Sequence, residues 1–155
     1  IGSTSFMNAQ SKVAHINTQE LIEAMPEMKS AKAELEKLAK TYESDIQTMA
    51  TELQNKVKLY DAEAKTKTDE ENQKRIEEVG GMEQSIRQYQ GQAQQDLAKK
   101  ESELLKPIYE KAKNAIEAVA TAQGFDYVLD SMSGQGVIVA SGKDLLADVK
   151  KHLGY

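Results

Sequence analysis

Ala115-Ile-Glu-Ala-Val-Ala-Thr-Ala-Gln-Gly-Phe-Asp-Tyr-Val-Leu-Asp130 changes its hydrophobic period in the middle. Before Gly124 the apolar residues Ile116 and Val119 continue a helical spacing, and after it Phe125, Tyr127 and Leu129 alternate as in a strand. Gly124 sits at the change and is a good helix stop, because glycine takes the left-handed conformation that closes a last turn. A long helical pattern runs up to this point, and a small strand-rich stretch follows it.

Working back from Gly124, the apolar positions are Ile116, Ala112, Ile108, Leu104, Leu97, Ala93, Tyr89, Ile86, Met82, Val79 and Ile76. An equally long partner precedes it. Met28, Leu35, Tyr42 and Met49 are seven apart, and Leu38, Ile46, Leu53, Val57 and Tyr60 fill the companion seam. A narrow seam of period near 3.5 is a coiled-coil signature. Glu36 and Glu52 each precede a lysine by four residues, the favourable order for an ion pair along one helix. Between the two patterns Lys65-Thr-Lys-Thr-Asp69 has no apolar residue, and Thr68 with Glu71 reads as a capping box. The chain is therefore expected to reverse near 65–69, making 18–123 a helical hairpin arm. Pro26 is expected to stand at the first helical position of the long arm, after a short helix capped by Asn17 or Thr18.

Two features interrupt the returning arm. Gly80-Gly81 lowers helix stability by about 1 kcal/mol per residue relative to alanine, and Pro107 bends a helix or frees a carbonyl. The glycines read either as a place where helices approach closely or as a hinge, with Gly80, Gly81 and Pro107 as the hinge candidates.

Strand-like runs bracket the arm. Lys12-Val-Ala-His-Ile-Asn17 precedes it, and Phe125–Asp130 and the apolar run Val137-Ile-Val-Ala140 follow it. Asp144 onward reads as a short terminal helix with Leu145, Leu146, Val149 and Leu153. These few strands are too little for a free-standing sheet, so 12–17 and 124–155 are expected to form a β body completed by other copies of the chain. Val13, Ile16, Phe125, Tyr127, Val128, Leu129, Val137, Ile138 and Val139 are the expected oligomerisation residues. The fold class is α+β, mainly α: a long antiparallel coiled-coil hairpin projecting from an oligomeric β body. The opening residues 1–11 read as the tail of a signal peptide, with Ala9 near a cleavage point, or as a disordered tail.

The composition agrees. Of 155 residues 39% are hydrophobic, 29% charged and only 5% aromatic, a balance that favours long solvated helices over a packed globule. There is no cysteine, which excludes thiolate metal sites and disulfides. Net charge is -5, which argues against a nucleic-acid partner. The stretch Gly136–Lys143 fails as a phosphate loop by its spacing, and Asp144 replaces the hydroxyl that would hold magnesium. With two histidines and carboxylates spread along helix faces, no cofactor, metal or catalytic group is expected. No stretch approaches the roughly 18 apolar residues that a membrane helix needs.

The order of these elements, with Lys12–Asn17, Ala33-Glu-Leu-Glu36, Leu105-Lys-Pro-Ile-Tyr-Glu-Lys111, Ala115–Ala120, Gly124–Asp130 and Asp144–Lys150, resembles the Skp/OmpH family of periplasmic chaperones. That resemblance implies a homotrimer with a barrel-like β body and helical arms around a cavity. It implies a periplasmic protein that holds unfolded outer-membrane β-barrel proteins without ATP, and that is not an enzyme. Met28, Tyr42, Met49, Tyr60, Met82 and Tyr89 are the candidate client-contacting residues of the arm; heptad spacing also suits them to the seam between its helices. The well-studied family members are basic and this chain is acidic, which argues against direct contact with membrane lipid or lipopolysaccharide. A structural coiled-coil envelope protein and a prefoldin-like holdase without outer-membrane clients are the alternative readings.

Overall fold

The computed structural model describes residues 10–155, so the expectation for the first residues lies almost wholly outside the described ones. The elements are β1 (Val13–Ile16), α1 (Thr18–Ala24), α2 (Pro26–Glu63), α3 (Asp69–Gln123), β2 (Tyr127–Asp130), β3 (Lys143–Asp144) and α4 (Leu146–Leu153). A single 3₁₀ turn, Ala64–Thr66, lies between α2 and α3. The chain divides into two compact units: a body made of the segments up to Ser30 and from Leu104 to Tyr155, and an arm, Ala31–Glu103.

In the body, β1 lies between β2 and β3, and both pairings are parallel. Val13 stands beside Tyr127, His15 beside Leu129, and Ile16 beside Asp130. A parallel pair needs a long crossover, and here the whole helical stretch between Ile16 and Tyr127 is that crossover. Within one chain the three strands already lie in a single sheet, with β1 at its centre bonded on both sides.

The third strand is not the one expected. Val137–Ala140 forms no strand, and Ile138 and Val139 are 96% and 79% exposed. Lys143–Asp144 pairs with β1 instead. Among the described residues no strand pairs with this run, so its composition alone does not make it part of the sheet.

Alternation sets the core. Ala14 and Ile16 point inward at 2% and 1% exposure, where they join Leu21, Met25, Leu145 and Val149. On α3, Ile108, Ala112, Ala115 and Val119 bury one helical stripe. Helix ends follow the chemistry of the sequence. The Asn17 side chain accepts the Glu20 amide at 3.0 Å. Met25 is extended (ψ 130°) and separates α1 from α2, so Pro26 opens α2, where its missing N–H costs nothing. Gly124 takes φ +73° and lets the Phe125 amide return to the Ala120 carbonyl at 2.9 Å.

The arm is an antiparallel pair. Glu34 meets Lys100, Asp45 meets Tyr89, and Glu63 meets Arg75, in reverse order along α3. Its reversal is capped reciprocally: the Thr68 amide donates to Glu71 Oε2 at 2.9 Å and the Glu71 amide to Thr68 Oγ1 at 3.2 Å. Glu36 and Lys40 pair along the helix as expected, but Lys56 reaches across to Glu78 rather than back to Glu52.

Replacing Leu21 by alanine removes a wholly buried side chain and is expected to cost about 2–5 kcal/mol. Gly124→Ala forces a β-carbon into left-handed backbone and should cost about 1 kcal/mol. Urea unfolding followed by circular dichroism measures both, and an unchanged midpoint for Leu21→Ala would contradict the core described.

Candidate functional site

Two surfaces could act on another molecule, one in each unit. In the body, register pairing puts Val13, Tyr127 and Leu129 on the same face of the sheet. They remain 45%, 61% and 48% exposed. Parallel sheets are normally covered on both faces, so this apolar face is unusual. Beside it runs a cleft of about 600 Å³ lined by Ile22, Tyr109, Ile116, Phe125, Tyr127 and Val128 among others. The Lys12 ammonium lies 5.7 Å from the Phe125 ring centre. Val128 and Val137 are half-buried, whereas Ile16 is core and takes no part in the open face.

The strand ends are fastened by a carboxylate that the sequence did not single out. Asp130 accepts the Thr18 hydroxyl at 2.6 Å, the Thr18 amide at 3.2 Å and the Met132 amide at 2.9 Å. Burial pushes the Asp130 carboxyl up, but these three donors outweigh it and leave the group below the usual carboxylate range.

In the arm, the tyrosines join the two helices. Tyr42 donates to Asp96 at 2.8 Å and Tyr89 to Asp45 at 2.6 Å, so each helix supplies one phenol and one carboxylate. The two rings meet edge to face with centroids 5.7 Å apart, a favourable arrangement of their quadrupoles. Nearer the reversal, Tyr60 and Lys56 both bond Glu78, and the Arg75 guanidinium lies 4.4 Å from the Tyr60 ring centre while bonding Glu63 at 2.6 Å. Beside this clasp is a cleft of about 340 Å³ with Val57, Ile76 and Val79 in its wall. Met49 and Met82 are half-buried, and Met28 is buried at 5% exposure in the body unit. The seam thus takes much of the surface of these residues. The most exposed large apolar side chains of the arm are Leu59 and Ile76, at 51% and 66%.

Gly80 and Gly81 lie inside α3, and a β-carbon on either would meet nothing within 4 Å. Close helix packing is therefore not what calls for glycine there. Pro107 also lies inside α3. Among the described residues no group of three or more His, Cys, Asp or Glu is placed to hold a metal ion, and no helix is long and apolar enough to cross a membrane.

The crossed clasp has a spectroscopic consequence. The hydrogen bond to the Asp45 carboxylate, then desolvation of the phenol, then the charge of Asp45 push Tyr89 up to about 12. A raised phenol binds its proton more tightly folded than unfolded, so its contribution is complete below the unfolded value near 10 and is lost as pH rises through about 12. Ultraviolet titration should show tyrosines that ionise late in the native protein, with the phase near 12 lost in Tyr89→Phe. A native titration with every tyrosine near 10 would refute the clasp.

Comparison with known proteins adds to this geometry. The family described as Outer membrane protein (OmpH-like) matches residues 12–153. The Chaperone protein Skp of Pectobacterium atrosepticum is 26% identical over 153 residues, covering 99% of this chain and 92% of that protein. The Chaperone protein Skp of Photorhabdus luminescens is 27% identical over 145 residues, covering 94% and 87%. A crystal structure of an outer membrane chaperone (OmpH-like) from Caulobacter crescentus CB15 superposes with a TM-score of 0.83, over 99% of this chain and 88% of that one, at 18% identity. The fold is therefore the OmpH-like fold, and with a match running through both units the chain belongs to the OmpH-like outer membrane protein family.

Proposed function

We propose that this protein is a periplasmic holdase chaperone that keeps unfolded outer-membrane β-barrel proteins from aggregating before membrane insertion, without ATP and without a chemical step. The observation that carries the reading is the family match through body and arm alike, with relatives of nearly the same length named as chaperones. Client holding is a property of an assembled protein in this proposal. Three copies would associate through the body, burying the open face of Val13, Tyr127 and Leu129 with the crest of Ile138 and Val139. The physical support is that Val13, Tyr127 and Leu129 are exposed together on one face of the sheet, since scattered apolar residues are ordinary on a monomer but neighbouring ones mark an interface.

The arms would supply the client-facing surface. Its basis is distributed apolar contact from the outward edges of Tyr42, Met49, Tyr60, Met82 and Tyr89 and from Leu59 and Ile76, rather than attraction to a basic wall. Gly80-Gly81 is proposed as a hinge of the arm, supported by two adjacent glycines whose lack of side chains serves no contact and weakens the local helix. Pro107 is a second interruption, since its ring takes one amide out of the helical ladder.

Dilution of a urea-unfolded outer-membrane β-barrel protein into buffer with this protein should give strongly reduced light scattering, unchanged by ATP and only weakly dependent on salt. Scattering equal to that of the client alone would overturn the holdase reading. Sedimentation equilibrium should give the mass of three 17.2 kDa chains, and a monomer at every concentration would exclude the shared body. Gly80→Ala/Gly81→Ala should narrow the distance distribution between spin labels placed on either side of the glycine pair in α3; an unchanged width removes the hinge.

A further inference from the structure

We infer that Tyr42 and Tyr89 form an oxidative modification site. Under a one-electron oxidant, such as a high-valent haem or a photosensitiser, the two rings join through a carbon–carbon bond and tie α2 to α3 midway along the arm. The inference goes beyond client holding and does not depend on it.

The two tyrosines come from opposite helices, and their ring centroids lie 5.7 Å apart. Among the described residues they are the one aromatic pair; Tyr60, Tyr109, Tyr127 and Tyr155 have no second ring beside them. Each phenol also has a proton acceptor in place. Tyr42 donates to Asp96 at 2.8 Å and Tyr89 to Asp45 at 2.6 Å. These bonds raise both phenols above their ordinary value. At neutral pH each is therefore oxidised as a neutral phenol, its proton passing to the carboxylate as the electron leaves. Composition directs the oxidation to tyrosine. With no tryptophan and no cysteine, the chain has no indole to share the electron hole and no thiol to quench it. Methionine sulfur is oxidised differently, by taking up an oxygen atom.

The step balances as two one-electron events. One electron leaves Tyr42 with its proton going to Asp96, and one leaves Tyr89 with its proton going to Asp45. The two phenoxyl radicals couple at ring carbons ortho to oxygen. Each coupled carbon then releases its hydrogen as a proton while a proton returns to each oxygen, so both rings end as phenols. Two electrons pass to the oxidant, two protons pass to solvent, and the chain ends two hydrogen atoms lighter. Rings that meet edge to face need a side-chain rotation to bring the ortho carbons together. Both are half-buried in the seam of one chain, and this proximity favours each other as partner over a tyrosine of another molecule. The new bond closes the stretch 42–89 into a loop, which leaves the unfolded arm fewer conformations to gain.

The test is photo-oxidation of the full chain with a ruthenium–bipyridyl sensitiser and persulfate, followed by a denaturing gel and tryptic digestion of the single-chain band. That band should carry the blue fluorescence of a biphenol. Trypsin cuts after Lys40, Lys56, Arg87 and Lys99, so the peptides 41–56 and 88–99 should appear joined and two hydrogen atoms lighter than their sum. Tyr89→Phe should abolish the joined species and the single-chain fluorescence. Asp45→Asn keeps both rings but removes one base. It should lower the initial rate about tenfold, less than the usual gain from a positioned base because water also takes the proton. If tyrosine is consumed in the wild type and the two peptides are never joined within one chain, the proposal is overturned, with no variant needed. Undiminished single-chain fluorescence in Tyr89→Phe overturns it as well. A wild-type rate in Asp45→Asn overturns the proton-accepting role of the carboxylate.

Discussion

The parallel pairing of β1 with β2 is the constraint on which the rest depends. Two parallel strands cannot be joined by a tight turn, so their connection must run the length of the sheet and come back. Here that connection is α1, α2 and α3 together, and the strand register from Val13–Tyr127 to Ile16–Asp130 brings the two ends of the long helical excursion side by side. The pairing is short, and it is reinforced where it is weakest. The Lys12 carbonyl takes the Asp126 amide at 2.8 Å, and Asp130 gathers Thr18 and Met132 at the other end.

A sheet this small leaves a consequence for function. Its inner face is sealed by Leu21, Met25, Leu145 and Val149, but its outer face keeps a tyrosine and two aliphatic side chains in water. The arm has the opposite economy. Its apolar seam is narrow, and polar clasps fix its register: crossed tyrosine–aspartate bonds midway, then Tyr60, Lys56 and Arg75 with Glu78 and Glu63. Directional bonds of this kind define which residues stand opposite one another, while individually exposed ion pairs add little stability. The result is a body that lacks a cover and an arm of settled register with an interruption at Gly80-Gly81.

Much of the fold was legible in the order of residues. The heptad spacing, the Asn17 and Thr68 caps, Pro26 as a first helical residue and Gly124 as the stop are local signals, and each operates within a few residues of itself. The candidate surfaces were legible only in part. Tyr42, Tyr60 and Tyr89 stood out by spacing, but their hydroxyl partners lie on the other helix, and nothing in a heptad marks Asp45, Asp96 or Glu78 among so many carboxylates. Val137–Ala140 looked like a buried strand because its composition is that of one. Composition reports what a segment prefers to bury, not whether a partner strand exists to receive its backbone bonds.

The sequence alone therefore determined the elements, their ends and the long hairpin between strands, since these follow from periodicity and from side chains acting on their own backbone. Tertiary structure alone decided which strands pair, and that His15 reaches Ser131 on one side and Gly142 on the other. It also decided that Val13, Tyr127 and Leu129 share one uncovered face. Those facts depend on residues more than a hundred positions apart coming into register, and no local pattern encodes the register of a parallel pair across so long a crossover.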